Sequence, residues 1–304
     1  MNNQILFIYN TRSGNHNLEE KEIIHKIEKA FNPQHQLTVL KLEKKRQGNE
    51  EIINFLLKEN WDLVIVGGGD GTIRRLVAIM INEDFDFPIA ILPLGSANGL
   101  ATCLGVSDLD IAVEVLKRSS YINMDVLCIN DKISLHLSDF GFNAGLVKKF
   151  DESDTRGMMA YFKGSLSEFF ANKPLKFTLI INQEEIEIEA RMLMIANGRM
   201  YGTGAIINPT GRLDDGKFEI IAFNPQGINE VINLSLNLFK GEINEDRQVK
   251  TWQVDNAIIR NTENAQFQID GDMEDDAGEV RVSILKNRIK VMVLSLAMDT
   301  VTVD

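Results

Sequence analysis

A glycine-rich hexapeptide at residues 67–72, GGGDGT, is the sharpest chemical signal in the sequence. It follows an apolar stretch at residues 63–66 and precedes a helical pattern at residues 73–82, so it occupies a strand-to-helix turn. Glycines at such a turn let backbone N–H groups approach a phosphate, and the helix N-terminus favours an anion there. Asp70 could reach a phosphate-bound Mg²⁺ through water, while Thr72 could cap the helix or bond a phosphate oxygen.

The spacing of this motif matches neither the P-loop nor the dinucleotide-binding fingerprint, and a tight turn that merely needs flexible glycines is the alternative interpretation. Two further turns follow strand-like segments, at residues 10–14 (NTRSG) and 93–99 (PLGSANG). In a parallel sheet all three turns lie at the carboxyl edge, where ligands bind. Each turn alone is ordinary loop chemistry, but together they predict a ligand site.

Strand-like and helix-like segments alternate up to about residue 119, and strand-like segments dominate from residue 121 onward. The first region has predicted strands at residues 4–9, 36–42, 62–66 and 88–92, and predicted helices at residues 18–31, 50–60, 72–82, 96–104 and 109–119. The second has predicted strands at residues 123–128, 133–140, 175–182, 185–189, 191–197, 216–224, 251–260, 266–269 and 278–293, and helices at residues 156–172 and 228–240. The predicted fold class is α/β + β: a three-layer N-terminal α/β domain with a parallel sheet, then a C-terminal antiparallel, β-rich, sandwich-like domain.

Composition and charge exclude several classes of protein. The chain has 304 residues, 44% of them hydrophobic and 25% charged, which predicts an ordinary globular protein of two domains. A net charge of -12 argues against binding to nucleic acid and against general electrostatic attachment to membranes. Cys103 and Cys128 form neither a disulfide framework nor a zinc site. No signal peptide or membrane-spanning stretch is evident, which predicts a cytoplasmic protein, soluble or at most peripheral.

Five blocks occur in one order along the chain: NTRSG, GGGDGT, PLGSANGLA, NGRMYGTGAIINPTGRLDDGKFEI and IDGDMEDD. In this order they resemble the diacylglycerol kinase catalytic-domain family, and the chain looks like a bacterial lipid kinase related to sphingosine and ceramide kinases. The resemblance implies a nucleotide-binding α/β domain, a lipid-binding β-rich domain and an active site in the cleft between them. It also implies that the last strands return to the first domain. The predicted domains are therefore residues 1–122 with about 290–304, and residues 123–289.

The resemblance also assigns residues to the nucleotide and to the reaction. It implies that ATP contacts the three turns of the first domain through Asn10, Gly68, Gly69, Asp70, Gly71, Thr72, Ser96 and Asn98. It makes Asp270 the acceptor of the lipid hydroxyl proton, with Asp272 where the family usually has Glu. A hydroxyl that attacks a γ-phosphate needs a nearby base, and a second carboxylate can raise the pKa of the first. An acid-rich hairpin turn is the alternative for residues 270–276.

A Mg²⁺ site is implied at residues 212–217. It would use the carboxylate of Asp215 and the main-chain carbonyls of Arg212 and Lys217, because oxygen ligands suit a hard cation. A plain type I turn before a strand is the alternative.

The sequence departs from the family pattern at five positions. Ser96 replaces the usual Thr but keeps the hydroxyl. Arg74 and Arg75 replace the usual Asn-Glu, Gly99 stands where bacterial members often have Asp, and Asp272 is one methylene shorter than Glu. These departures motivate a second hypothesis, a protein that keeps its nucleotide and lipid sites but has lost turnover.

The function predicted from the sequence is an ATP- and Mg²⁺-dependent lipid kinase. Its substrate would be a diacylglycerol-like, phosphatidylglycerol-like or sphingoid lipid, met by transient contact with the inner face of the membrane. A soluble-substrate kinase of the NAD-kinase type is a further alternative, and a homodimer is left open. The apolar residues 158–170 could line an acyl-chain cleft or touch a bilayer, or simply face the core.

Overall fold

The computed structural model describes residues 4–11, 19–31, 35–43, 48–118, 120–141, 173–200, 206–227, 230, 248–263, 265–275 and 278–294. The chain divides into two compact units, Met1–Asp125 with Lys286–Asp304 (unit 1) and Val126–Leu285 (unit 2).

Unit 1 is an α/β unit with parallel strands. The strands are β1 (Gln4–Asn10), β2 (Gln36–Leu42), β3 (Leu63–Gly68) and β4 (Ile89–Pro93), and the helices are α1 (Glu20–Ala30), α2 (Asn49–Leu56), α3 (Asp70–Asn82), α4 (Gly99–Cys103) and α5 (Leu109–Arg118). The strand order is β2-β1-β3-β4. The end of β16 (Glu279–Val293) joins them, because Val291 pairs in parallel with Ile89.

The sequence pattern explains this architecture. Continuous apolar runs keep β3 and β4 buried along their whole length, as expected for parallel strands with helices on both faces. Each long helix turns one apolar stripe inward, for example Ile23 and Ile27 in α1. Helix α1 packs with α5 and α2 packs with α3, which forms the two helical layers.

Unit 2 consists of antiparallel strands. They are β5 (Ser120–Ile129), which begins in unit 1, then β6 (Lys132–Ser134), β7 (Leu137–Phe140), β8 (Leu175–Ile181), β9 (Glu184–Ala190), β10 (Met192–Ala196), β11 (Phe218–Phe223), β12 (Val249–Val254), β13 (Asn256–Asn261), β14 (Phe267–Ile269), β15 (Asp272–Glu274) and the first part of β16. Six of them form one sheet in the order β12-β11-β10-β7-β14-β15. Strands β9, β8, β13 and β16 pair in that order in a second layer.

The core of unit 2 lies between these two layers. One buried cluster takes Leu193 and Phe218 from the six-stranded sheet and Leu179 and Val282 from the other layer. The ring of Phe140 lies 4.4 Å from that of Phe267, measured between centroids. The predicted fold class, an α/β domain followed by an antiparallel β-rich domain, is thus confirmed.

Several predicted elements differ in their limits. The predicted strand 133–140 is two strands, β6 and β7, because residues 135 and 136 leave the ladder to donate to Asp270. The predicted strand 251–260 is interrupted at Asp255, and β15 was not predicted. The predicted helices 156–172 and 228–240, with the apolar residues 158–170, lie outside the described residues apart from Glu230. Within the described ranges, no helix is long and apolar enough to cross a bilayer.

Candidate active site

The glycine motif forms a turn of a single residue between β3 and α3. Strand β3 continues through Gly67 and Gly68, which pair with Leu92 and Pro93 of β4. Gly69 has an extended backbone, and its carbonyl accepts the N–H groups of Thr72 and Ile73 at 2.9 and 3.2 Å. Strand and helix therefore both extend into the motif that the sequence predicted to be a loop.

The motif packs against the next turn of unit 1, backbone against backbone. The N–H of Leu94 donates to the carbonyl of Gly68 at 3.1 Å. A Cβ on Gly95 would lie 2.3 Å from the Cα of Gly69, and one on Gly68 would lie 2.7 Å from the side chain of Thr72. The close approach of two turns, and not only freedom of the backbone, requires glycine here.

The end of β1 also contacts the glycine motif. Asn10, the last residue of β1, donates its side-chain N–H to the hydroxyl of Thr72 at 3.3 Å. The structure thus brings together Asn10, Gly69 and Thr72, which the sequence assigned to the nucleotide from two different turns.

Asp70 joins the start of α3 to the start of α4. Its two carboxylate oxygens accept the N–H groups of Gly99 and Leu100, each at 2.9 Å. These N–H groups belong to the first turn of α4, so Asp70 caps that helix from a distant part of the chain. Gly99, a departure from the family pattern, is one of the two donors.

Asn98 shapes the turn that precedes α4. It has a left-handed backbone, with φ 52°. Its side chain accepts the N–H of Gly95 at 2.8 Å and donates to the carbonyl of Gly95 at 2.9 Å. Ser96 is exposed within this closed turn.

Among the arginines after the glycine motif, Arg75 donates to the side chain of Asn49 at 2.8 Å, at the start of α2.

In unit 2, Asp270 occupies the tight turn between β14 and β15. Ile269 pairs with Asp272, so Asp270 and Gly271 are the two turn residues. Both have positive φ, 47° and 90°, as a type I′ hairpin requires. The hairpin that the sequence offered as an alternative to a catalytic acid is therefore present. It is also the device that positions the acid.

The carboxylate of Asp270 is surrounded by hydrogen-bond donors and is only 1% exposed. Oδ1 accepts the N–H groups of His136 and Leu137 and the hydroxyl of Ser134, each at 3.1 Å. Oδ2 accepts the N–H of Leu135 at 2.8 Å. Burial alone would raise the pKa of Asp270, but the bonds from His136 and from the backbone of Leu135 and Leu137 outweigh it and lower that pKa. The buried group is an anion.

Asn197 holds the same segment from its other side. Its side-chain N–H donates to the carbonyl of Leu135 at 3.0 Å, and its backbone N–H donates to the carbonyl of His136 at 2.9 Å. Residues 135–137 are thus fixed through their N–H groups by Asp270 and through their carbonyls largely by Asn197. Asp270 and Asn197 both lie in motifs that the sequence singled out. Residues 135–137, which they hold, lie outside those motifs.

Asp272, the second predicted catalytic acid, is exposed at the start of β15. Asp270 and Asp272 thus sit in different surroundings, one enclosed and one in contact with water.

The predicted metal segment is a turn before β11. One oxygen of Asp215 accepts the N–H of Lys217 at 3.0 Å, and Arg212 pairs with Asp214 at 3.1 Å. Among the described residues, no group of three or more His, Cys, Asp or Glu side chains is placed to hold a metal ion.

A buried polar cluster follows this turn and was missed from the sequence. Glu219 is 2% exposed and accepts hydrogen bonds from Asn208 and, at 2.9 Å, from Gln253. Burial raises the pKa of Glu219, and the two bonds offset only part of that effect. One acid in the otherwise apolar strand FEIIAF was the available signal.

Two family models match successive parts of the chain. Residues 4–129 match the diacylglycerol kinase catalytic domain, and residues 138–293 match the YegS C-terminal NAD kinase beta sandwich-like domain. The chain belongs to the diacylglycerol kinase-like family with a YegS C-terminal domain. Membership of this kinase family supports a phosphotransferase activity.

Relatives at low identity carry the same family name. A protein of Alcanivorax borkumensis named "Probable lipid kinase YegS-like" is 28% identical over 201 residues, which are 65% of this chain and 66% of that protein. One of the same name from Pseudomonas aeruginosa (strain UCBPP-PA14) is 28% identical over 171 residues, 56% of this chain and 57% of that protein. A crystal structure described as a diacylglycerol kinase from Bacillus anthracis str. Sterne has the same fold, with TM-score 0.73 and 18% identity, covering 97% of this chain and 98% of that one.

Gly95→Ala tests the close approach of the two glycine turns. We expect it to lower the free energy of unfolding by about 1–3 kcal/mol or more, because a Cβ there would overlap the backbone of Gly69. Gly71→Ala is the matched control, since a Cβ on Gly71 meets nothing within 4 Å. Urea denaturation measures both variants. Equal stability of the two would contradict the packing described here.

Asp70→Ala tests the cap on α4. Two N–H groups lose their acceptor, so we expect a loss of about 1–2 kcal/mol in the free energy of unfolding. Asp110→Ala is the control, because that side chain is 83% exposed and pairs with Lys26 at the surface. Chemical denaturation of both variants gives the comparison. A loss no larger than that of the control would show that Asp70 is not a structural cap.

Asp270→Asn tests the anionic state of the buried acid. The folded protein lowers the pKa of Asp270 below its unfolded value of about 3.9, so its ionisation stabilises the fold at neutral pH and this contribution fades as the pH falls below about 4. We therefore expect the stability gap between wild type and variant to narrow from about pH 6 to about pH 3. Urea midpoints across that range measure it, and a gap independent of pH would rule out the ionised form.

Proposed function

We propose that the chain is an ATP- and Mg²⁺-dependent lipid kinase, which transfers the γ-phosphate of ATP to the hydroxyl of a lipid. The observation that carries this proposal is the enclosed anion of Asp270, fixed among N–H donors in a chain whose two halves match a kinase domain and its C-terminal partner domain. The names of the relatives, lipid kinase and diacylglycerol kinase, support a lipid as the acceptor.

The first turn of α3 fits a nucleotide phosphate. The N–H groups of Asp70 and Gly71 stand at the start of this 13-residue helix, ahead of those of Thr72 and Ile73, which already donate to Gly69. The space beside Gly71 is open, since a Cβ there would contact nothing within 4 Å. A phosphate at this position would meet backbone donors and the positive end of the helix dipole.

The turn at residues 212–217 offers a donor set suited to Mg²⁺. Asp215 is exposed and keeps one carboxylate oxygen beyond the one that accepts from Lys217, and main-chain carbonyls of Arg212 and Lys217 would add neutral oxygens. A Mg²⁺ ion usually keeps several waters, so one carboxylate and two carbonyls can suffice. Bound Mg²⁺ and ATP would supply a phosphoryl group whose charge is partly neutralised.

The residues of the chain itself would orient the nucleotide and remove the hydroxyl proton. Unit 1 would orient the nucleotide through Asn10, Gly69 and Thr72, and unit 2 would remove the hydroxyl proton at the anionic site around Asp270. We further propose that the protein acts from the cytoplasm by brief contact with the membrane, since its charge of -12 is repelled by anionic lipid.

Transfer of labelled γ-phosphate tests this function. The purified chain is incubated with labelled ATP, Mg²⁺ and mixed micelles that contain diacylglycerol, phosphatidylglycerol, ceramide or sphingosine. We expect one labelled phospholipid with wild type and a loss of about 10²–10⁴-fold with Asp270→Asn. Asp110→Asn, an exposed acid on α5, serves as the control and should match wild type.

A second measurement separates an inactive binder from an enzyme. If no lipid is labelled while Mg²⁺·ATP still stabilises the protein against heat, by about 2.7 kcal/mol at 100 times the Kd, the chain is a nucleotide-binding protein without turnover. Labelling of a soluble acceptor such as NAD, and of no lipid, would instead assign it a soluble substrate. Either result overturns the proposed lipid kinase.

A further inference from the structure

His136 lies within the segment that Asp270 and Asn197 fix, in the interval between the two family matches. Its imidazole Nδ1 is 3.1 Å from Oδ1 of Asp270, and the two side chains are 8% and 1% exposed. Its backbone is held as well, because its N–H donates to Asp270 and its carbonyl accepts from Asn197. The imidazole therefore lies beside a buried anion, on a backbone that is held from both sides.

Asp270 itself is poorly suited to take up a proton. Its two oxygens already accept hydrogen bonds from the backbone of residues 135–137 and from the hydroxyl of Ser134. A carboxylate offers about four lone-pair positions, so protonation would displace or weaken one of these bonds. Donors of this kind favour the anion, and an anion with low proton affinity is a weak general base at neutral pH.

We propose that His136 accepts the proton of the lipid hydroxyl and that Asp270 acts through it as a positioning residue. This inference rests on the proposed function and identifies the proton acceptor of that same site. Nδ1 is the ring nitrogen that lies next to Asp270, so a neutral imidazole with its proton on Nδ1 keeps its lone pair on Nε2, an arrangement that carboxylate and histidine pairs use in other enzymes.

The proposed step balances in atoms and charge. The hydroxyl oxygen forms its bond to the γ-phosphorus while the bond from that phosphorus to the β–γ bridging oxygen breaks, and the hydroxyl proton passes to Nε2. The resulting imidazolium is stabilised by the carboxylate of Asp270 and releases its proton to water after ADP and the phospholipid depart. Asp270 remains ionised throughout.

The groups around the imidazole set the expected pH dependence. Asp270, from the turn between β14 and β15, is the carboxylate that faces it. The hydroxyl of Ser134 donates to the same carboxylate and lies 3.1 Å from that of Ser138, and the amide of Asn197 donates to the carbonyl of Leu135. The other carboxylates of the flanking strands are Asp139, which accepts from Gln268, the exposed Asp272, and Glu274, which pairs with Lys132.

The dependence of the lipid phosphorylation rate on pH shows whether His136 or Asp270 accepts the hydroxyl proton. If His136 accepts the proton, kcat/KM of wild type should fall about tenfold per pH unit once the imidazole becomes protonated, at a pH above the range in which carboxylates titrate. If Asp270 accepts it, the decline should begin only near about pH 4 or below. We expect His136→Asn to lower kcat by about 10²–10⁴-fold and to abolish the acidic decline.

Matched variants show whether the effect belongs to this histidine. His25→Asn removes an exposed histidine of α1 and should leave the rate and the profile unchanged. Asp270→Asn should lower kcat and move the acidic decline to lower pH, because the imidazolium loses its counter-charge. A His136→Asn enzyme with near wild-type kcat and an intact decline would overturn the proposal and leave the lipid kinase standing.

An NMR titration tests the pair without any substrate. The chain has four histidines, so imidazole resonances of wild type can be followed individually. The midpoint for His136 should move to lower pH in Asp270→Asn. An unmoved His136 midpoint would overturn the proposed pair. A wild-type protein that labels no lipid, yet shows the coupled titration, would refute the proposed function and not the pair.

Discussion

The hydrogen bonds between the carboxylate of Asp270 and residues 135–137 are the interaction on which the candidate site of unit 2 depends. Burying an isolated carboxylate costs several kcal/mol. Here three backbone N–H groups and one hydroxyl offset that cost, and the pKa of Asp270 falls instead of rising. Because the N–H donors belong to consecutive residues, one charge fixes a whole backbone segment. The type I′ hairpin that carries Asp270 thereby positions the imidazole of His136 as well.

In unit 1 the carboxylate of Asp70 holds a backbone segment in the same way. Asp70 follows the single-residue turn after β3, and its carboxylate accepts two consecutive N–H groups at the start of α4. The acid in each motif therefore organises the backbone of another turn, 29 residues away in one case and 133 or more in the other. In both units the carboxylate therefore holds a turn in one conformation through charge-assisted hydrogen bonds.

Much of this architecture could be predicted from residue pattern. Alternating apolar strands and amphipathic helices indicated unit 1, and the order of five motifs indicated the family and singled out Asp270. The residue pattern could not show which groups form hydrogen bonds with each acid. The N–H groups that meet Asp270 depend on how β14 pairs with β7, and the contact between Gly69 and Gly95 depends on the register of β3 and β4. Glu219 was missed for the same reason, since Gln253 faces it only through the pairing of β11 with β12.

These contacts also constrain the chemistry that each acid can perform. A carboxylate whose lone pairs hold the backbone cannot bind a proton or a metal ion directly without releasing the structure that it supports. Asp70 would therefore act on a bound cation through water and not as a direct ligand, and Asp270 would act on a proton through His136. Asp70 and Asp270 would then hold the backbone of the site. The side chain that they orient would take part in the reaction. That side chain can differ among relatives of one fold, because the backbone cage around Asp270 is made mostly of N–H groups that every residue except proline supplies.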